Sequence, residues 1–119
     1  IDDDTEPNLP ALAPLLRAAG ADFIDCSSGA IAPGAAPPDG PAVQQDFARA
    51  VRALDIPTMA VGGIVYPHAA DALIANGNCD IVLLARAMLR NPYWALHAID
   101  ALGGKAPWPR QYARAVGND

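Results

Sequence analysis

The sequence carries little positive charge. Eight lysines and arginines stand against thirteen aspartates and glutamates, which gives a formal net charge of −5 over 119 residues. Cations this few and this thinly spread form no basic surface for nucleic acid or for an anionic membrane. We therefore expect neither kind of partner.

Long apolar runs are missing too, and cysteine is scarce. No stretch approaches the ~20 apolar residues of a membrane-spanning helix, and Ile1 to Asp4 lack the basic start and apolar core of a signal peptide. Cys26 and Cys79 lie in or just before apolar strand patterns, where a buried thiol is commoner than a disulfide or a metal ligand. We expect a cytoplasmic globular chain and, because it opens on Ile1, a piece of a longer protein.

Apolar residues recur at helical spacing in four segments and form short runs without alternation in three others. The helices are predicted at about 9–17, 42–54, 67–75 and 87–102, and the strands at 21–26, 58–61 and 80–84. Residues 30–41 hold four prolines and two glycines and are predicted to form a loop. The tail from Lys105 to Asp119 shows no apolar period.

This order of elements predicts an α/β fold with a parallel sheet. Two architectures fit it, an open doubly wound sheet and a section of a (β/α)8 barrel. Three strands cannot close a barrel, which takes eight strands and about 250 residues, so a barrel protein would contribute only its last portion here. In both architectures ligands bind at the carboxyl ends of the strands.

Two of the three strand ends carry residues suited to an anion. Gly62 and Gly63 allow positive φ and bring no Cβ between their amides and a ligand. Ala85 and Arg86 follow the next strand and open a helix, where backbone N–H groups and a guanidinium can hold a phosphate. A plain tight turn and a surface arginine are the ordinary alternatives. Together the two ends match the common phosphate site of barrels.

Other polar and aromatic residues give weaker signals. Ser27 and Ser28 follow a strand, but no His or Asp stands at triad spacing. His68 and His97 have no partner at metal-ligand spacing, and no pair of acids is placed for acid–base catalysis. The aromatic pair at positions 93–94 is expected to pack in the core.

Four motifs carry a family resemblance. They are ADFIDCSSG at 21–29, AVGGI at 60–64, LAR at 84–86 continuing into LRNPYW at 89–94, and QYAR at 111–114. In this order and spacing they resemble the C-terminal part of the old yellow enzyme family, and its bacterial xenobiotic-reductase subclass most. The resemblance implies strands six to eight of a (β/α)8 TIM barrel in residues 1–104, followed by a C-terminal tail in residues 105–119.

The resemblance also implies roles for five residues. Gly62 and Gly63 match the strand end whose amides approach the phosphate of FMN, and Ala85 with Arg86 matches a pair that is usually Gly-Arg. Arg114 matches an arginine that reaches the active site of a neighbouring subunit, which implies a homo-oligomer. The sequence departs from the family at Ala85, and again after Arg114, where Ala-Val-Gly replaces the usual Gly-Trp.

The implied activity is that of an FMN-dependent NAD(P)H oxidoreductase. Such enzymes pass hydride from NAD(P)H through FMN to an alkene conjugated to a carbonyl. The family's substrate-binding histidine pair and proton-donating tyrosine belong to earlier strands, so we expect the isolated chain to be inactive. Two alternatives stay open: a non-enzymatic half-barrel that assembles with another chain through its strand edges, and another phosphate-binding TIM-barrel enzyme.

Overall fold

A computed structural model describes residues 9–27 and 42–116 of the chain. Helices and strands alternate in it, with two helices and a short 3-10 helix (η1) after the last strand. The elements are α1 Leu9–Ala18, β1 Ile24–Cys26, α2 Ala42–Arg52, β2 Thr58–Val61, α3 Pro67–Ala75, β3 Ile81–Leu83, α4 Arg86–Arg90, α5 Trp94–Ala101 and η1 Arg110–Tyr112. The loop predicted at 30–41 lies outside the described residues. Across the described ranges, no helix has the length and apolar character needed to cross a membrane.

The three strands form one parallel sheet in the order β1-β2-β3. Cys26 on β1 is level with Ala60 on β2, and Ala60 is level with Val82 on β3. Parallel neighbours require a crossover between strands, which α2 and α3 provide. The predicted α/β class and parallel sheet are confirmed.

The described helices cover one face of this sheet. On β2, Thr58 and Ala60 are fully buried on that face, against a core that includes Val51 of α2 and Leu73 of α3. The intervening side chains point the other way, because successive residues of a strand alternate between faces. That open face carries four apolar side chains and one acid, all incompletely buried: Met59, Val61, Ile81, Leu83 and Asp25.

The side-chain carboxylate of Asp80 joins the amino-terminal ends of β2 and β3. Asp80 accepts a hydrogen bond from the backbone N–H of Thr58 at 2.9 Å and another from Nε of Arg52 at 3.1 Å. Nη2 of Arg52 lies 3.0 Å from the same carboxylate. The hydrogen bond from Thr58, followed by the contacts with Arg52, lowers the pKa of Asp80 below its usual value. This group fixes α2 to the amino-terminal edge of the sheet.

The single helix predicted from about 87 to 102 is wrong. The structure has two helices, α4 and α5, with a break at Asn91 and Pro92. The ring of a proline disfavours helical angles in the residue before it, and Asn91 is extended, with φ −137° and ψ 92°. Its side-chain oxygen then accepts a hydrogen bond from the backbone N–H of Tyr93 at 3.2 Å, just before α5 begins.

The prediction that both aromatic residues at 93–94 pack in the core holds only for Trp94. Trp94 packs against the core and donates from its indole nitrogen to the carbonyl oxygen of Val65 at 2.8 Å. Tyr93 is 40% exposed and lies against the tail, with its ring 5.8 Å from that of Trp108 and 5.3 Å from that of Tyr112.

The tail is tied to α5. Asp100 accepts hydrogen bonds from the backbone N–H of Ala106 at 3.0 Å and from the indole N–H of Trp108 at 2.9 Å. The bonds from Trp108 and Ala106 lower the pKa of Asp100. The structure therefore folds residues 105–112 onto α5, although the tail shows no apolar period.

Candidate phosphate-binding site

A cavity of about 390 Å³ opens at the carboxyl ends of β2 and β3. Gly62, Gly63, Ala85 and Arg86 all line it. Two pairs of neighbouring residues, separated from each other by more than 20 positions in sequence, thus meet at one place, as expected for the carboxyl edge of a parallel sheet. Their binding of FMN stays a prediction.

Both glycines adopt backbone angles that favour glycine. The φ of Gly62 is +104° and that of Gly63 is +65°. A Cβ at position 62 would clash with Oε1 of Gln44 unless that side chain moved, and Gln44 also lines the cavity. Glycine therefore lets the chain turn sharply after β2 and keeps its backbone close to the cavity.

Ala85 stands where the related family usually has glycine, and its backbone does not adopt the positive φ that would require one. Its φ is −101°, outside the region that favours glycine. Its carbonyl oxygen accepts a hydrogen bond from the backbone N–H of Leu89 at 3.1 Å, which starts the turn of α4.

Two arginines, Arg86 and Arg90, give the cavity a positive charge. They are the first and last residues of α4, and both are exposed on the cavity wall. Within residues 9–27 and 42–116, neither side chain forms a hydrogen bond or an ion pair, and no carboxylate lines the cavity. Arg90 is a site residue that sequence reasoning missed. The signal that could have found it is its spacing of four from Arg86, which places both side chains on one side of a helix.

Three of the other five arginines of the chain are paired with acids. Nη1 of Arg17 lies 3.8 Å from Asp22, Nη2 of Arg49 lies 2.8 Å from Asp46, and Arg52 binds Asp80 as described above. The two cavity arginines differ from these because their charge is not offset by a neighbouring carboxylate. An anion in the cavity would supply that offset.

Comparison with known proteins identifies relatives among the NADPH dehydrogenases. No family model matches the chain. It is 42% identical over 105 residues to an NADPH dehydrogenase of Halalkalibacterium halodurans, covering 87% of this chain and 31% of that protein. The NADPH dehydrogenase of Geobacillus thermodenitrificans is 42% identical over 100 residues, covering 83% of this chain and 29% of its own length. That of Listeria monocytogenes serotype 4a is 36% identical over 111 residues, covering 92% and 32%.

This chain is a partial homologue of the NADPH dehydrogenases. The predicted relationship to the old yellow enzyme family is thereby confirmed. The chain spans about a third of the length of these relatives.

The remaining candidate residues do not converge on the cavity, apart from Ser27, which lines it. Arg114 is exposed in the turns after η1 and is not part of the wall. His97 packs edge-on against Trp108, with ring centres 5.0 Å apart, and His68 is exposed in the first turn of α3. Ser28 lies outside the described residues. Across 9–27 and 42–116, no group of three His, Cys, Asp or Glu side chains is placed to hold a metal ion.

The cysteines are buried, as predicted, and poorly suited to nucleophilic chemistry. Cys26 is 4% exposed and Cys79 is 1% exposed. Burial, followed by the negative charge of Asp25, raises the pKa of Cys26 to about 11. Burial likewise raises the pKa of Cys79. Both thiols stay protonated near neutral pH, where the thiolate is the reactive form. The chemistry that the described residues support is therefore anion binding at the cavity and not nucleophilic attack by a thiol.

Proposed function

We propose that this chain forms the phosphate-binding end of an FMN-dependent NAD(P)H oxidoreductase. In this proposal its sheet supplies strands six to eight of a (β/α)8 barrel, and residues 105–119 form the C-terminal tail. The identity with NADPH dehydrogenases supports the class of enzyme. The single observation that carries the assignment of the site is the cavity that joins Gly62-Gly63 to Arg86.

The residues of the cavity fit a phosphate. The amides after β2 can approach its oxygens because no Cβ intervenes at Gly62 or Gly63, and the N–H of Ala85 adds a donor from the end of β3. Arg86 supplies a charge-assisted, potentially bidentate contact. When bound, FMN supplies hydride transfer from NAD(P)H to an alkene conjugated to a carbonyl. This chain's part is to hold and orient the phosphate end.

The open face of the sheet supports the incomplete barrel. Parallel sheets are normally covered on both faces, and in the described structure the side chains of Met59, Val61, Ile81 and Leu83 remain incompletely covered. The relatives have about two thirds of their length outside the aligned segment, which is enough chain for the other strands. We propose that those strands carry the catalytic groups, that the isolated chain is inactive, and that Arg114 reaches across a homo-oligomer.

A hybrid enzyme tests the proposal. The matching segment of the Halalkalibacterium halodurans NADPH dehydrogenase is replaced by this chain, and bound flavin is measured by absorbance and by the FMN dissociation constant. We expect a yellow protein that oxidises NADPH in the presence of cyclohexenone. Arg86→Gln should weaken FMN binding by about tenfold or more, since a hydrogen bond to a charged group contributes roughly 1.5–3 kcal/mol.

The control is Arg49→Gln, which removes an arginine that pairs with Asp46 on α2, away from the cavity wall. A folded hybrid that binds FMN equally well with and without Arg86 would contradict the proposal. If the hybrid does not fold, the 119-residue chain is titrated with FMN and followed by phosphorus NMR. Absence of binding at millimolar FMN would then count against the site.

A further inference from the structure

We infer that Arg90 is a second phosphate-binding residue, and that with Arg86 it makes the cavity selective for the doubly ionised terminal phosphate of a monoester. The inference rests on the proposed function for the identity of the ligand, FMN. It adds a role for Arg90, to which the sequence analysis gives none, and a charge requirement on the ligand.

The position of Arg90 supports a direct contact. Arg86 and Arg90 are four residues apart on α4, so their side chains lie on one side of the helix about one turn from each other. Both line the same cavity as the Gly62-Gly63 turn. A phosphate that accepts hydrogen bonds from the glycine amides is therefore flanked by two guanidinium groups.

The charges around the cavity support a dianion. Like charges at this spacing repel each other, and within the described residues no acid is paired with either arginine. The other polar side chains that the described residues contribute to the wall, Ser27 and Gln44, carry no charge, and none of these residues contributes a carboxylate, imidazole or thiol. The phosphate itself is then the group that titrates, with a second pKa near 6. Two cations favour the form with two negative charges.

A structural role is the competing explanation for Arg90. A cation in the last turn of a helix interacts favourably with the helix dipole, and Arg90 occupies that turn of α4. In that case Arg90 would contribute to stability and leave phosphate binding unchanged. The two explanations differ in their effect on affinity, on its pH dependence and on the choice between ligands.

The test compares Arg90→Gln, Arg86→Gln and the control Arg49→Gln in the 119-residue chain and in the hybrid enzyme. Dissociation constants for FMN and FAD are measured between pH 5 and 7, with phosphorus NMR for the chain and flavin fluorescence for the hybrid. We expect wild type to bind FMN more tightly as pH rises through 6, and to prefer FMN over FAD, whose pyrophosphate has no terminal monoester phosphate. Arg90→Gln should weaken FMN binding by about tenfold, flatten the pH dependence and reduce the preference over FAD.

The possible outcomes separate this inference from the proposed function. If Arg86→Gln weakens FMN binding while Arg90→Gln leaves affinity and pH profile intact, the inference is overturned and the proposed function stands. A lower thermal midpoint for Arg90→Gln with unchanged FMN affinity shows the purely structural role and also overturns it. If neither wild-type protein binds FMN, both are overturned.

Discussion

At the scale of single residues, the two glycines of the cavity have different requirements. Gly63, with φ +65°, is in the left-handed helical region, which asparagine also adopts at modest cost. Gly62, with φ +104°, lies beyond that region, and a Cβ there would also meet the side chain of Gln44. The sequence presents them as an equivalent pair, whereas the structure makes Gly62 the more restrictive position.

This difference gives a stability prediction. Gly62→Ala should lower the free energy of unfolding by about 1–3 kcal/mol, because the new side chain strains the backbone. Gly63→Asn should cost less than Gly62→Ala, because asparagine tolerates the left-handed region. Urea denaturation of both variants measures the difference, with Ala85→Gly as the control at a cavity position whose φ is negative. Equal losses for Gly62→Ala and Gly63→Asn would show that φ does not distinguish the two positions.

At the scale of elements, local periodicity and turn chemistry predicted most of the fold. The bounds of β2 and α3 agree with those predicted from the sequence, because both elements have local signals. An apolar run before Gly-Gly marks β2. A proline at the start and a glycine-containing turn at the end mark α3. The break between α4 and α5 was missed because the apolar spacing continues across Asn91-Pro92. The packing of the tail on α5 was missed because Trp108 is held by a hydrogen bond to Asp100 and by the rings of Tyr93 and His97. Such contacts leave no periodic pattern in the sequence.

The difference between local signals and contacts made only in the folded chain also explains which cavity residues sequence reasoning found and which it missed. Gly62 and Arg86 directly follow strands, and the ends of parallel strands meet at one edge of a sheet. The helix predicted at about 87–102 places Arg90 near its start, where an arginine is an ordinary surface residue. Only the short α4 and the cavity beside it show that Arg90 faces the same space as Arg86.

The contact of Asp80 with β2 and α2 gives a prediction about how the elements are joined. Asp80→Ala should lower the free energy of unfolding by about 1–3 kcal/mol, since the N–H of the buried Thr58 loses its acceptor and Arg52 loses its partner. The matched control is Asp46→Ala, which breaks an exposed pair with Arg49 and should cost less than about 1 kcal/mol. Urea denaturation at pH 7 measures both, and equal costs would contradict a special role for Asp80.

The pH dependence of this contact has a defined sign. The pKa of Asp80 is lower in the folded chain than its usual value, first because of the hydrogen bond from Thr58 and then because of Arg52. A lowered pKa means that the ionised group stabilises the fold above its unfolded pKa and that this stability is lost as pH falls through the folded pKa. The difference in stability between wild type and Asp80→Ala should therefore be constant near neutral pH and shrink below pH 4. A difference that persists unchanged at pH 2 would exclude the carboxylate as its source.

At the scale of the whole molecule, the core is small for the apolar content of the chain. Val51, Thr58 and Cys79 are the largest side chains that are fully buried among the described residues. Large apolar side chains remain exposed on several elements, including Leu15 at 67% on α1 and Leu89 at 82% on α4. Exposed apolar surface of this extent is typical of a chain that packs against further protein, and the proposed barrel supplies that protein.

A charge introduced on the open face should affect the isolated chain and the assembled barrel differently. Ile81 is 37% exposed on the edge strand β3, and edge strands tolerate lysine, so Ile81→Lys should change the stability of the isolated chain by no more than about 1 kcal/mol. The same variant should strongly reduce recovery of a stable complex when this chain is co-expressed with the preceding part of the Halalkalibacterium halodurans relative, because the barrel interior would enclose an added charge whose nearest described acid on that face, Asp25, lies two strands away. Val51→Lys, at a buried core position, should instead unfold the isolated chain as well. Circular dichroism of the chain and co-purification of the two parts measure both effects. Undiminished co-purification of Ile81→Lys would mean that the open face of the sheet does not become the inside of a barrel.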